Sequence, residues 1–591
     1  MRDVIIIGAG GGGPIVAKEL AARGLDVLVL EGGAAFKNSE TEFTHYENDA
    51  NNPVTGFLRM GPQNRELGPW LPDLVQQSFL WHVSGVGGTT LHYFGNNPRA
   101  MPGVFQGYAG ADAANYDVNH LFPFTYESLI PYYEWVETTL PVQTAAMGTK
   151  EQIFLEAAAA MGLPHQTTKD THGPGHRAQE NAILQPQGTA GHTSDPALLV
   201  YPQAQGCTFC GHCYQGCIEP LRSPRNLRAK RSTDNSYVPM MLTADAWASG
   251  GNPAELRAST YVTKILTELR NGVPTAIGVE FRDATGVHQE TATVVCLAGG
   301  ASESPRLWLS SGLPNPNGWV GRGLTDHHMD WVVGVFDKYT GATFGAGSSA
   351  RADWPGYGGV ENICLPPALQ SYALTYSDAG VSGRYDNNTP NDPAGADTFG
   401  RLIGNDLVES LSDTNRLLTA LIITDDDVEY QNRVELSPIV PPTEHGPRPK
   451  VVVNHRGRSA RTQRNRRFLA QRAVELMRAA GARHVHRSDW PPLILHSHSS
   501  MRMGSDPTTS VVDDSCEARA VKNLFVTDNS SLANSIGGPN PTLTTQAIAT
   551  RASEKIFQRY FGGDAWVGSE APVSSIDDRV TQAVISRGLF D

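Results

Sequence analysis

The chain carries no surplus of positive charge: 47 Lys and Arg stand against 60 Asp and Glu, a net charge of -13 over 591 residues. A surface of that sign repels phosphate backbones, which excludes nucleic acid as a partner. No apolar run approaches the roughly 18 residues that span a bilayer, so no transmembrane segment is expected. The opening MRDVIIIGAGGGG enters a strand at once and has no signal-peptide pattern, which makes the cytoplasm the default location. Cysteine is scarce, at seven residues, and in a reducing compartment such thiols serve metal or redox sites rather than a disulfide framework. Internal repeats are absent. With 40% hydrophobic and 18% charged residues the chain is globular, and its length exceeds what one core fills, so two or more domains are expected.

What is present begins with Val4–Ile7, a continuous β-branched run that reads as a strand buried on both faces. Gly8, Gly10 and Gly13 follow in G-x-G-x-x-G spacing, then Pro14, which suits a first helical turn. A second buried strand, DVLVLE, ends at Glu31. In this fingerprint Gly8 makes the turn, Gly10 lets backbone reach a pyrophosphate, and Gly13 lets helix pack on strand. The helix N-terminus faces the phosphates, and Glu31 is placed to accept from a ribose hydroxyl. An acidic residue there favours a free ribose diol, as in NAD or the adenosine half of FAD.

Four further stretches decide between the two. They are GVGGTTLH (residues 85–92, with Gly87 and Gly88), TVVCLAGGASESPRLWLSSG from Thr293, LILHSHSSMRMG ending at Gly504, and NLFVTDNSSLANSIGGPNPTLTTQAIATRASEKI from Asn523. In this order they resemble the glucose–methanol–choline (GMC) family of flavin alcohol oxidoreductases, over the chain to about residue 562. The resemblance implies FAD. It also implies an α/β fold: a discontinuous Rossmann-like FAD-binding domain (1–45, 80–110, 205–325 and 490–562) and an α+β substrate domain with a mostly antiparallel sheet (46–79, 111–204 and 326–489). Residues 563–591 show weak periodicity and read as a tail on the surface or at a subunit contact.

The same resemblance assigns roles. His496 stands at the catalytic histidine of H-x-x-G-T-x-R-M-G, with Ser499 and Ser500 in place of Gly-Thr. Asn540 falls at the second active-site position. Asp528 sits in the segment meeting the ribityl and pyrophosphate portion, Pro541 and Thr542 open the helix facing the isoalloxazine, and Val262 stands at a backbone contact to adenine. His92 occupies a position where some relatives link histidine covalently to the flavin methyl and others do not; both states stay open. The chemistry is consistent with these types. Imidazole accepts a hydroxyl proton near neutral pH, and an asparagine that cannot titrate holds the oxygen in line. His498, two residues off the catalytic position, reads equally as structural or functional.

The remaining motif is Cys207, Cys210, Cys213 and Cys217, spaced C-x2-C-x2-C-x3-C. That is the bacterial ferredoxin run, although in ferredoxins the fourth cysteine serves a second cluster and precedes proline. Here Ile218 follows, and no second run exists. A three-iron cluster on three thiolates, a four-iron cube on four or on three plus a remote cysteine (Cys296, Cys364 or Cys516), zinc and an empty thiol loop are the alternatives. The sugar dehydrogenase subunits of the family favour the three-iron form by resemblance. A cluster implies a dehydrogenase of a sugar or polyol that passes electrons singly to a cytochrome or similar acceptor. The resemblance to related dehydrogenases implies a small accessory subunit, with co-export to the periplasm as an alternative location. An oxygen-using alcohol oxidase is the competing reading. The following basic segment, with Arg222, Arg225, Arg228, Lys230 and Arg231, reads as a solvated loop or as a dock for an acidic acceptor.

Alternation in LLTALIITDDDVEY and NRVELS predicts sheet with one covered face, and RNRRFLAQRAVELMRAAG predicts a helix stopped at Gly481.

Overall fold

The computed structural model describes residues 1–42, 73–74, 79–80, 82–213, 216–367, 370, 374, 394–399, 402, 404–453, 458–488 and 493–589. The apolar run at the N-terminus forms the strand Arg2–Ile7, whose Val4–Ile7 segment is buried. It pairs in parallel with Val27–Leu30 on one side and with the end of the long strand Gly286–Leu297 on the other. Glu255–Arg257 and Leu524–Val526 extend this parallel layer at its two edges. The first half of Gly286–Leu297 instead joins an antiparallel meander with Val273–Asp283 and Tyr261–Arg270. One strand thus ties two sheets of opposite pairing together.

The helix Gly13–Ala21 starts with Pro14 in its first turn and is buried along its whole length. Val16 and Leu20 belong to the same core as Val4–Ile7, and each such side chain contributes roughly 1.5–3 kcal/mol by leaving water. The helix Thr542–Phe561 lies against it.

A second seven-stranded sheet is antiparallel except at one edge, and runs Thr398–Phe399, His484–Ser488, Met329–Val335, Leu417–Thr424, Gly358–Ile363, Ala350–Trp354, Gly175–Ala178. Period-two alternation sends Leu418, Ala420 and Ile422 to a core shared with the helices Thr149–Ala160 and Ala460–Ala479. The longer helix is capped by Ser459 accepting from Thr462 N at 3.1 Å and stops before Gly481 in the left-handed region. The strand Leu417–Thr424 is buried throughout. Its second face is not solvated, because Leu421 points into the cavity described below. The fold is therefore α/β, a Rossmann-like layer joined to a substrate-side sheet.

The 563–591 segment is docked rather than loose. Its helix Asp578–Ser586 buries Val580, Ala583 and Val584 beside Tyr237–Leu242 and Ala244–Trp247. The Gly-, Asp-, Asn- and Pro-rich stretch near 377–397 lies mostly outside the described residues. No described helix is long and apolar enough to cross a membrane.

Candidate functional site

A cavity with about 1640 Å³ of empty space, its open mouth included, borders both sheets. Ile7, Leu30 and Leu297, the carboxyl ends of the parallel strands, open into it, where α/β sheets bind ligands. Two glycine turns abut across it. A Cβ at Gly88, whose φ is +50°, would stand 2.6 Å from Gly10 Cα, and a Cβ at Gly13 would stand 2.0 Å from the Gly8 carbonyl. Only glycine permits either approach. Gly87 N donates to Ala9 O at 2.8 Å and locks the two turns together.

Glu31 lines the same space, its carboxylate taking the Ala9 and Gly33 amides at 2.8 Å each. Burial pushes its pKa up and these amides pull it back. Each oxygen retains a lone pair for a ribose hydroxyl. Val262 and Tyr261 stand on the cavity wall. Asp528 also lines the cavity, but its carboxylate is committed to protein donors: Gly300 N and Ser530 N at 2.8 Å, and the hydroxyls of Ser304 and Ser530. It clamps the start of the helix Gly300–Ser310 and acts on a ligand only through that backbone. Pro541 caps Thr542–Phe561, and both Pro541 and Thr542 face the cavity. Asn540 Oδ1 and Thr545 Oγ1 are buried there without a protein partner. A glycine cradle, a helix N-terminus and orphaned acceptors fit a flavin dinucleotide.

The imidazoles gather against this cradle. His496 is half-buried and lines the cavity. Its amide donates to Asp326 Oδ1 at 2.8 Å, and its Nδ1 lies 3.0 Å from Nδ1 of His327. Burial, then His498 and His92, push its pKa down to about 3, so it is a neutral base at physiological pH. His498 is fully buried; its ring bonds the His496 carbonyl and packs edge-on against His327. It is a support for the loop rather than a second base. His92 is buried on the cavity wall with its pKa lowered to about 3 by burial, Lys230 and His82.

Asn540 bonds Glu361, which also accepts from Asn96 at 2.9 Å and Arg351 at 3.1 Å. Burial dominates and lifts Glu361 to about 7. Neither Glu361 nor His327 stands out in the sequence. The only trace was the Asp326-His327-His328 run before an apolar strand, and a glutamate between Val360 and Ile363 where sheet periodicity expects an inward face.

The thiols lie beside this site. Cys207 and Cys213 are buried and pack with Cys217 in one small core, while Cys210 is half-buried. Two fully buried ammonium groups accompany them: Lys150, paired with Glu151, and Lys230. Lys230 Nζ donates to the carbonyls of Leu91 at 2.8 Å, Tyr93 at 2.9 Å and Cys213. Of the remote cysteines, Cys364 adjoins this locus, its thiol 3.8 Å from the Gly211 carbonyl, whereas Cys296 and Cys516 sit in the core of the first sheet. Burial raises the pKa values of Cys207, Cys210 and Cys213, which keeps them neutral thiols, and among the described residues no three ligating side chains are arranged around one point. The thiols as placed do not form a metal cage.

The basic segment is not a docking face. Arg225, Arg228, Lys230 and Arg231 are buried, and only Arg222 is exposed. Arg225 holds Phe36 O and Asp234, and Arg231 holds Arg228 O, Asn235 O and Ser575. Neighbouring acceptors, Asp234 and the carbonyls of Arg228 and Asn235, together with Phe36 O and Ser575 from distant segments, absorb charge that reads as surface in one dimension.

Comparison with known proteins agrees with this geometry. The chain matches two GMC oxidoreductase domains, an N-terminal one over residues 196–329 and a C-terminal one over residues 443–549. It is 27% identical to paromamine 6'-oxidase of Streptomyces fradiae, covering 94% of this chain and 91% of that one. It is 24% identical to the fructose dehydrogenase large subunit of Gluconobacter japonicus, over 94% and 97% of the two chains. Among solved structures, a formate oxidase superposes with a TM-score of 0.58 at 12% identity, over 95% of this chain and 99% of the other. With the dinucleotide cradle, the histidine at 496 and the asparagine at 540 on one cavity wall, the chain belongs to the GMC oxidoreductase family of FAD-dependent enzymes.

Proposed function

We propose that this protein oxidises a hydroxyl group of a sugar, glycoside or polyol to a carbonyl. The observation that carries the reading is the placement of His496 and Asn540 on the wall of the cavity that the Gly10–Gly88 cradle closes. His496, neutral at working pH, takes the hydroxyl proton. Asn540, whose amide is fixed by Glu361 and the helix start, turns its second N–H to the substrate oxygen and holds it in line, leaving the single hydroxyl proton to His496. Bound FAD supplies the acceptor for the hydride that leaves the same carbon. The first amides of Thr542–Phe561 offer positive potential to that wall. Likeness to paromamine 6'-oxidase and to the fructose dehydrogenase large subunit supports a carbohydrate-type substrate. Anaerobic bleaching of the flavin by a panel of sugars, amino-glycosides and diols tests it; a flavin that none of them reduces counts against the reading.

The electron acceptor separates two readings. A dehydrogenase with an iron–sulfur centre on Cys207, Cys210, Cys213 and Cys217, feeding a one-electron acceptor through a partner subunit, is supported by the cysteine spacing, by Lys150 and Lys230, and by likeness to a dehydrogenase named as a large subunit. An oxygen-using oxidase is supported by likeness to paromamine 6'-oxidase. Iron analysis and electron paramagnetic resonance of anaerobically purified protein, with a peroxide assay in air, decide between them.

A further inference from the structure

We infer that His327 is a positioning residue that sets the tautomer of His496, and so determines which of its nitrogens is the base. The inference rests on His496 being the proton acceptor. It follows from a chain of three hydrogen-bonding groups that ends on a group with a single role. His327 Nε2 lies 2.8 Å from the carbonyl oxygen of Ser535. A carbonyl only accepts, so Nε2 of His327 carries hydrogen and donates.

His327 is fully buried, and burial with the neighbouring His496 holds it in the neutral form. A neutral imidazole with hydrogen on Nε2 presents a bare lone pair at Nδ1. That lone pair faces Nδ1 of His496 at 3.0 Å. Two lone pairs cannot share that distance, so His496 carries its hydrogen on Nδ1 and donates it. The nitrogen left bare on His496 is Nε2. It is the nitrogen not engaged by His327, on a ring that lines the cavity. The base is therefore prepared before substrate arrives. Were His327 reversed, His496 would keep its hydrogen on the cavity side and could only donate to a hydroxyl.

The arrangement also sets what happens after abstraction. The hydroxyl proton moves to Nε2 of His496 as the hydride leaves the carbinol carbon for the flavin, which oxidises the alcohol by two electrons and reduces the flavin by two. The resulting imidazolium donates its Nδ1 hydrogen to a neutral acceptor, which stabilises the charge. The Ser535 carbonyl cannot take up a proton, so the path through His327 is closed and the proton leaves by the cavity. His498 supports this geometry without entering it: its ring holds the His496 carbonyl and packs on His327 at a ring separation of 5.3 Å.

Two substitutions at position 327 part the two bonds. In His327→Asn the amide oxygen reaches the position of Nδ1 and keeps an acceptor for His496, while the bond to Ser535 is lost. In His327→Gln the amide reaches the position of Nε2 and keeps the donor to Ser535, but the acceptor facing His496 is gone. Flavin reduction by a saturating alcohol is measured anaerobically by stopped flow in holoenzymes of equal flavin content. The expected result is a His327→Gln enzyme slowed at least about 10-fold in the limiting rate with little change in the apparent alcohol Kd, and a His327→Asn enzyme within about 3-fold of the parent. A purely structural role predicts equal losses or the reverse order, and either result overturns the assignment. His496→Ala is measured alongside. If it reduces flavin at the parental rate, the reading beneath the inference fails; if it is slow and the two variants at 327 fall in the wrong order, the inference alone fails.

Discussion

Lys230 Nζ donates to the Leu91 carbonyl at 2.8 Å, one residue from His92 on the cavity wall. The same ammonium reaches the Tyr93 carbonyl at 2.9 Å and the Cys213 carbonyl. A fully buried cation thus fastens the thiol loop to the cavity wall. Removing it leaves three carbonyls without this donor, at about 1–3 kcal/mol for each buried group left unsatisfied. Lys230→Met should melt earlier and release flavin at a lower temperature than the parent, as followed by flavin fluorescence. An unchanged melt would show that the thiol loop and the cavity wall are independent.

The glycine cradle makes a sharper prediction. In Gly88→Ala the new Cβ meets Gly10 Cα, backbone against backbone with no flexible side chain to give way, in a residue whose φ already disfavours it. The variant should fold with little flavin, read as the ratio of visible to ultraviolet absorbance, and full occupancy would place the dinucleotide elsewhere.

Stability should fall on mild acidification. His92, His496 and His498 have pKa values lowered to about 3, His328 to about 4, and His327 is lowered too, in each case chiefly by burial. Below pH 6.5 the unfolded chain binds protons that the native state refuses. Their stabilisation is complete above that pH and is lost as pH falls toward the folded values, at roughly 1.4 kcal/mol per pH unit for each histidine. Glu361, raised to about 7, works the opposite way between pH 7 and 4.5, as do the raised carboxyls of Glu31, Glu219, Asp326, Asp425, Asp426, Glu429 and Asp528. On the histidine side His82, His176, His445 and His486 are lowered as well, which makes nine groups against eight among the described residues. Melting temperatures measured from pH 7.5 to 5 should decline, and a rise would contradict the neutral, buried assignment of these rings.

Glu361 predicts a signature in catalysis. Ionised, it accepts from the Asn540 amide; protonated, it loses part of that capacity. The limiting rate of flavin reduction should rise with pH through a single step near 7 that Glu361→Gln abolishes. A step that survives in Glu361→Gln assigns it to another group.

Local features were legible in the sequence and long-range ones were not. Gly8, Gly10, Gly13, Pro14 and Glu31 act within one strand–turn–helix unit, so spacing alone describes them. The helix Ala460–Ala479 followed from its apolar stripe and Gly481. His327, by contrast, is 169 residues from the His496 it faces, and Glu361 joins the site through the pairing of Gly358–Ile363 with Leu417–Thr424 on one side and Ala350–Trp354 on the other. The basic residues at 225–231 look solvated in one dimension because part of what buries them, Phe36 O at 189 residues from Arg225 and Ser575 at 344 from Arg231, is remote in the chain. The strand Leu417–Thr424 has its second face covered by the cavity rather than by water, which alternation cannot reveal.

The most direct test of the central claim is anaerobic stopped-flow reduction of the bound flavin by the best hydroxylated substrate, in the parent and in His496→Ala. Loss of the base should slow the limiting rate about 10²- to 10⁴-fold while flavin content stays unchanged. Reduction at the parental rate by the alanine variant would contradict the assignment of position 496 as the proton acceptor.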